Sequence, residues 1–221
     1  MKLGKPEDFY NNIQIRLKSI EKAIAQYQFS AAELKKSIQN KITPDTKLFL
    51  KGYGNEVNLL SCFRELFFNS RELLNNLLIR LNRDTKGKSY ETSRNFLTFS
   101  KKLMAGSYDA SNLSIIAFLK TNITHIFHIR KVRNEIKTFP ANIEFRYNTN
   151  RFETFFKVPI KSDEKNLIQY LDIRNKDEAL KNNSYSCTYI LDKIFPEMLE
   201  FWKTCFSIYE KDKESLTTHS T

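Results

Sequence analysis

Glycine and proline are scarce, five of each in 221 residues. An all-β sandwich needs turn residues every few positions, so this scarcity argues against one, and long Leu/Lys/Glu/Asn runs argue for helices. Cysteine is equally sparse: Cys62, Cys187 and Cys205 are odd in number, far apart and set in apolar segments. That pattern gives neither a disulfide framework nor a thiolate metal site; buried cysteines in a reducing cytoplasm are expected. The only histidines are His125, His128 and His219, and no His-x-x-x-His pair exists, so no metal site is expected. The five glycines never assemble a phosphate loop or a dinucleotide fingerprint, which excludes P-loop nucleotide hydrolysis. A nucleophile elbow and a Cys-His pairing are missing as well. No cofactor is expected.

Long apolar runs are also lacking. The best candidate, "LSIIAFLKTNITHIF", is interrupted by Lys120, Asn122 and His125, too polar and too short to span a bilayer. The opening "MKLGKPEDFY" is polar and leads into an amphipathic pattern rather than a signal-peptide core. The expectation is a soluble, cytoplasmic protein that begins here and has no membrane partner.

What is present in excess is positive charge and aromatic surface. Lys and Arg total 36 against 25 Asp and Glu, a formal charge of +11, and 18 residues are Phe. Clustered cations suit a phosphate-rich partner, since each contact releases counterions. Lysine far outnumbers arginine and Asn and Ile are heavily used, which a strong AT bias in the genome would produce without any such partner.

Apolar positions recur at helical spacing along most of the chain. Phe9, Ile13, Leu17, Ile20 and Ile24 make one face of a helix over Glu7–Gln28, with Pro6 at its first turn. Ser30, followed three residues later by Glu33, has the capping-box pattern and predicts a second short helix ending near Thr43-Pro44-Asp45. The uninterrupted run "NEVNLLSCFRELFFNSRELLNNLLIRLNRD" predicts the longest helix. A fourth, capped by Ser89 or Ser93, closes at Gly106, and a fifth opens near Asp109 or Ser111 and runs to Thr138.

Beyond Pro140 the period changes to two. "NIEFRY" and "RFETFFKV" flank "NTN" and predict a β-hairpin over about residues 142–159. Residues 161–183 fit a short strand or a loose helix equally. Ser184–Glu210 predicts a last long helix kinked at Pro196, and residues 211–221 a disordered polar tail. With no repeat or composition break, residues 1–210 read as one domain. The fold class expected is mainly α: an antiparallel helical bundle with a short β-hairpin inserted before the last long helix.

On the fifth helix, Ile116, Leu119, Ile123 and Ile126 form a stripe that Arg133 continues, about twenty degrees off on a 3.6-residue helix. A buried arginine is costly unless it is paired, lies at an interface or meets an anion. His125 joins a neighbouring apolar stripe. His128 aligns with Thr124, Lys131 and Glu135 on the polar face, about 140 degrees from Arg133, and is expected to be solvated.

The helices "FRELFFNSRELLNNLLIRLN" and "NFLTFSKKLMAG", with a third ending "IRKVRNEIKTFP", together resemble the HEPN superfamily, in particular its prokaryotic stand-alone members, over about Asn55–Pro140. That family shows Arg, a polar residue and then a His, with four to six residues between the Arg and the His. Arg133 and Asn134 match the first two positions. The histidine falls on Thr138, Phe139 or Pro140, so the motif is degenerate.

The resemblance implies a homodimer whose paired Arg and His line a cleft, in many members a metal-independent endoribonuclease. There an imidazole takes the ribose 2′-hydroxyl proton, a guanidinium holds the charged phosphate, and Asn134 orients Arg133. Threonine cannot act as the base. General acid-base catalysis supplies ~10²–10⁴-fold, so a member without its histidine is expected to be weak or inactive. The implied setting is an RNA-associated protein of a bacterial defence or toxin-antitoxin system.

An active ribonuclease using another base, with His128 acting across a dimer as a remote candidate, is a second reading. A protein-interaction scaffold is a third, in which the hairpin docks a protein partner. Candidate RNA contacts are Arg130, Arg133, Arg146 and Arg151. The last two stand among hairpin aromatics that can stack bases or serve as core.

Overall fold

In the structure, a computed structural model, residues 6–38, 48–49, 55–86, 96–107, 113–138, 144–148, 151–155, 157–173, 175–186 and 195–218 are described. Helix α1 runs unbroken over Pro6–Ile38. The short second helix expected from Ser30 is therefore not separate. Tyr27, Ala31 and Leu34 continue the apolar stripe straight through that position, with Leu34 fully buried. Ser30 is buried mid-helix, where its Oγ accepts from Gln26 Nε2 at 3.4 Å, and Glu33 pairs with Lys36. A local capping pattern loses to a stripe that stays in phase.

Helix α2 spans Asn55–Lys86, as its sequence pattern predicts. It lies antiparallel to α1, as two cross-links show: Arg16 Nη1 donates to Asn69 Oδ1 at 2.8 Å, and Asn76 Nδ2 donates to Asn12 Oδ1 at 3.2 Å. Helix α3 covers Phe96–Met104. Gly106, at φ 67°, ends it: Ser107 N donates to Lys102 O and Gly106 N to Leu103 O, the left-handed cap that glycine adopts without strain. The caps proposed at Ser89, Ser93, Asp109 and Ser111 lie outside the described residues, as does Cys187.

The expected fifth helix is two: α4 (Ser114–Thr121) and α5 (Ile123–Thr138). Asn122 interrupts them, at φ −102° and ψ 28°, with its Nδ2 donating to Phe118 O at 2.9 Å. An Asn side chain that competes for a helix carbonyl bends the chain there. The start of α4 is capped from far away, because Ile115 N donates to Asp212 Oδ2 at 2.7 Å.

Strands β1 (Leu48–Phe49), β2 (Glu144–Asn148) and β3 (Arg151–Phe155) form an antiparallel sheet in that order. The β2–β3 hairpin matches the expected one, with Asn148 opposite Arg151 and Arg146 opposite Glu153. A second pair, β4 (Lys157–Pro159) with β5 (Ser184–Ser186), encloses a 3-10 helix over Ser162–Tyr170 and helix α6 over Lys176–Lys181. Val158, Ile160, Leu167, Ile168 and Leu171 are buried there.

The last helix, α7, begins at Phe195, not at Ser184. Pro196 thus sits in its first turn, where no intrahelical N–H is needed, and makes no mid-helix kink. At the other end α7 continues to Thr218 through most of the segment expected to be a disordered tail. Long-range contacts hold it: Asp212 caps α4, while Tyr10 Oη bonds Glu210 and accepts from Lys213 Nζ at 2.7 Å.

Thus α7 packs antiparallel on α1, with Tyr27 against Phe195 at one end and Phe9 against Tyr209 at the other. Trp202, Phe63, Phe67, Phe127 and Phe195 are the largest fully buried side chains and unite α2, α5 and α7. Each is worth about 1.5–3 kcal/mol of transfer free energy. The mainly α helical bundle with its inserted hairpin is the fold observed.

Candidate functional site

Helix α5 is covered within one chain on more than its apolar face. Ile126, Phe127, Ile129, Val132 and Ile136 are buried in the bundle. The middle of the face expected to be solvated is buried too: His128 is 1% and Lys131 3% exposed, between the partly exposed Thr124 and Glu135. The segment of residues 157–186 lies over it; most of it, residues 161–183, has a sequence that fits a short strand or a loose helix equally.

Two polar arrangements fill that covered face. His128 Nδ1 lies 2.9 Å from Tyr185 Oη, and its Nε2 has no hydrogen-bond partner among the described residues. Burial, and then the nearby His125 charge, bring the His128 pKa down to about 3, opposed by Asp172. The ring is therefore neutral and enclosed, which corrects the expectation of a solvated histidine. Beside it Glu164, on the 3-10 helix and fully buried, accepts from Arg130 Nη1 at 2.6 Å, Lys131 Nζ at 2.7 Å and Lys161 N at 3.1 Å. Burial pushes its carboxyl up, but these donors outweigh it and hold the group below the usual carboxylate range. Glu135, by contrast, is raised by burial, with Lys131 and Lys161 opposing.

A basic stripe of α5 stays within reach of solvent. Arg130, Arg133 and Asn134 are partly exposed and Lys137 is exposed, positions that recur every three to four residues and so share a face. It is the same stripe that Ile123 and Ile126 occupy one and two turns earlier. Apolar and buried at its start, it becomes basic where α5 emerges from the core. Arg133 thus ends a packing stripe without being sealed in it.

The Arg133 guanidinium carbon lies 5.0 Å from the centroid of the Phe68 ring on α2. Its Nη1 donates to Asn134 Oδ1 at 3.3 Å, and its Nε, buried, has no hydrogen-bond partner among the described residues. A buried donor left without an acceptor costs ~1–3 kcal/mol. One turn beyond Phe68 stands Arg71, only 7% exposed. Burial first, then the charges of Arg130 and Arg133, bring its pKa down to about 10, against an opposing pull from Glu72. It remains a cation at neutral pH.

Arg71 and Glu164 were not singled out in the sequence. Arg71 carried the signal that exposed Arg133: it falls between Phe67 and Leu74 on the buried stripe of α2. Glu164 carried none, because its role depends on a contact more than thirty residues away in sequence.

Other candidates are not brought to this place. His125 stacks on Phe201 at 5.1 Å and lies 3.5 Å from Glu197, eight residues or ~12 Å along the axis from Arg133. Arg146 and Arg151 are placed in the strands, but their side chains, and that of Thr138, lie outside the described residues, as do Phe139 and Pro140. Cys62 and Cys205 are buried, with burial raising both thiols, so neither offers a thiolate. Among the described residues no group of three His, Cys, Asp or Glu could hold a metal ion, and no helix is long and apolar enough to cross a membrane.

No protein-family model, no curated protein and no solved structure significantly matches this chain.

Proposed function

We propose that the protein is an RNA-associated, HEPN-like homodimer that is catalytically weak or inactive, and that it binds RNA phosphates along the Arg130–Arg133–Lys137 edge of α5. The observation that carries this reading is the hydrogen bond from Arg133 to Asn134 on the part of α5 left partly open. It is the relation the family motif requires of its first two residues. The net charge of +11 supplies the long-range attraction.

Catalysis lacks a base in this arrangement. Thr138 holds the position of the histidine, and His128 is enclosed against Tyr185 with its pKa far below neutrality. In this reading a dimer through α5 uses the Arg133 edge, which stays partly exposed. RNA binding and dimerisation are thereby linked.

The test is incubation of purified protein with structured RNA in the presence of a chelator, with binding and cleavage read separately. Retention of intact RNA is the expected result. Absence of RNA binding at low salt defeats the reading, and efficient chelator-resistant cleavage defeats the claim of weak catalysis.

A further inference from the structure

Three arginines from two helices share one edge of the α2–α5 seam. On α2, Phe68 and Arg71 are three residues apart and so face the same way; on α5, Arg130 and Arg133 do likewise. Arg133 over Phe68 ties the two faces together. Arg71 is the most deeply buried of the three, Arg130 retains 17% of its side-chain exposure, and Arg133 is partly open.

Like charges gathered at low exposure repel one another, and the Glu164 carboxylate that Arg130 meets is shared with Lys131. One oxygen of Glu164 faces Arg130 and the other faces Lys131 and Lys161 N. Glu72 pulls on Arg71 and Glu135 lies toward Lys131 and Lys161. The buried Arg133 Nε–H, which has no acceptor among the described residues, calls for an oxygen.

From this geometry we propose that Arg71, Arg130 and Arg133 form a single phosphate-binding site in the α2–α5 seam, with Arg71 as its floor. The inference rests on, and deepens, the reading of RNA association: it names the group recognised, a tetrahedral phosphoryl oxyanion, and adds a residue outside the motif helix. Planar guanidinium forks match such an anion, which carries enough oxygens for three arginines at once. The depression of the Arg71 pKa by its two neighbours agrees with that proximity.

Full-length wild type, Arg71→Met, Arg71→Lys and Arg133→Lys are titrated with inorganic phosphate at constant ionic strength and followed by thermal melting. A second arm measures binding of one short RNA bearing either a 5′-hydroxyl or a 5′-phosphate. Phosphate is expected to raise the melting temperature of wild type, and each substitution to weaken its apparent affinity about tenfold or more. Equal phosphate response in wild type and Arg71→Met overturns the site. Should Arg71→Met not fold, Arg71→Lys decides: it keeps the charge but loses the fork, and wild-type phosphate affinity in it overturns the site as well.

Tighter binding of the phosphorylated RNA assigns the site to a terminal monoester, and equal binding assigns it to an internal diester; both support it. RNA binding that persists while phosphate binding ignores Arg71 defeats this site alone. Phosphate binding without RNA binding defeats the RNA reading and leaves the site standing.

Discussion

Arg133 rests its guanidinium over the ring of Phe68, 5.0 Å from the centroid. A cation over an aromatic face is attracted by the ring quadrupole. We expect Phe68→Leu, which keeps an apolar filler, to lose about 0.5–1 kcal/mol of stability and to weaken RNA binding several-fold. Denaturant melts and fluorescence anisotropy on the same preparation check both. RNA affinity unchanged in a folded Phe68→Leu protein means the ring plays no part in positioning Arg133.

The covered face of α5 depends on one carboxylate. Removing the charge in Glu164→Gln leaves Arg130 and Lys131 side by side with a neutral amide. The predicted cost is ~3–5 kcal/mol, because breaking a buried ion pair strands the remaining charge. Chemical denaturation measures it. A cost below ~1 kcal/mol would indicate that this face opens to water in solution.

Stability should fall on mild acidification, and His128 sets the sign. Its folded pKa of about 3 lies below its ordinary 6.5, so the unfolded chain takes up a proton that the folded chain refuses. Stability therefore drops as pH falls below about 6.5, with a limiting slope of ~1.4 kcal/mol per pH unit. Glu164, held below its usual carboxylate range, acts in the same direction but only below about 4.5. His128 therefore contributes a loss that begins near pH 6.5, above the range where Glu164 acts. Unfolding curves at several pH values should show it in wild type and a much flatter profile in His128→Gln. Equal slopes in the two proteins contradict the enclosed position of His128.

Asp212 caps a helix nearly a hundred residues away. Asp212→Ala is expected to cost ~0.5–2 kcal/mol by leaving the Ile115 N–H without its acceptor. A melt that does not change would place the end of α7 outside the cooperative fold.

The helices were legible where burial and period agreed. Phe9 through Leu34 and Leu59 through Leu81 keep one stripe in phase over many turns, and both helices exist. Local signals failed where a distant partner intervened. The serine-to-glutamate pattern at Ser30 was overridden by packing, and the polar end of α7 was ordered by Tyr10 and Ile115. The helical wheel identified Arg133 as unusual but misjudged His128 and Lys131, because a wheel cannot register a covering layer that arrives thirty residues later. Arg71 was legible by the same rule that found Arg133, since it interrupts the buried run of α2.

The most direct test of the central claim is RNA affinity measured across a range of salt for wild type and Arg133→Ala, with folding of both verified by circular dichroism. The account predicts that wild-type affinity falls steeply and linearly on a log-log plot. Arg133→Ala should bind more weakly at every salt concentration, with a slope reduced by about one phosphate contact. Arg133→Ala binding RNA as tightly as wild type, with the same slope, contradicts it.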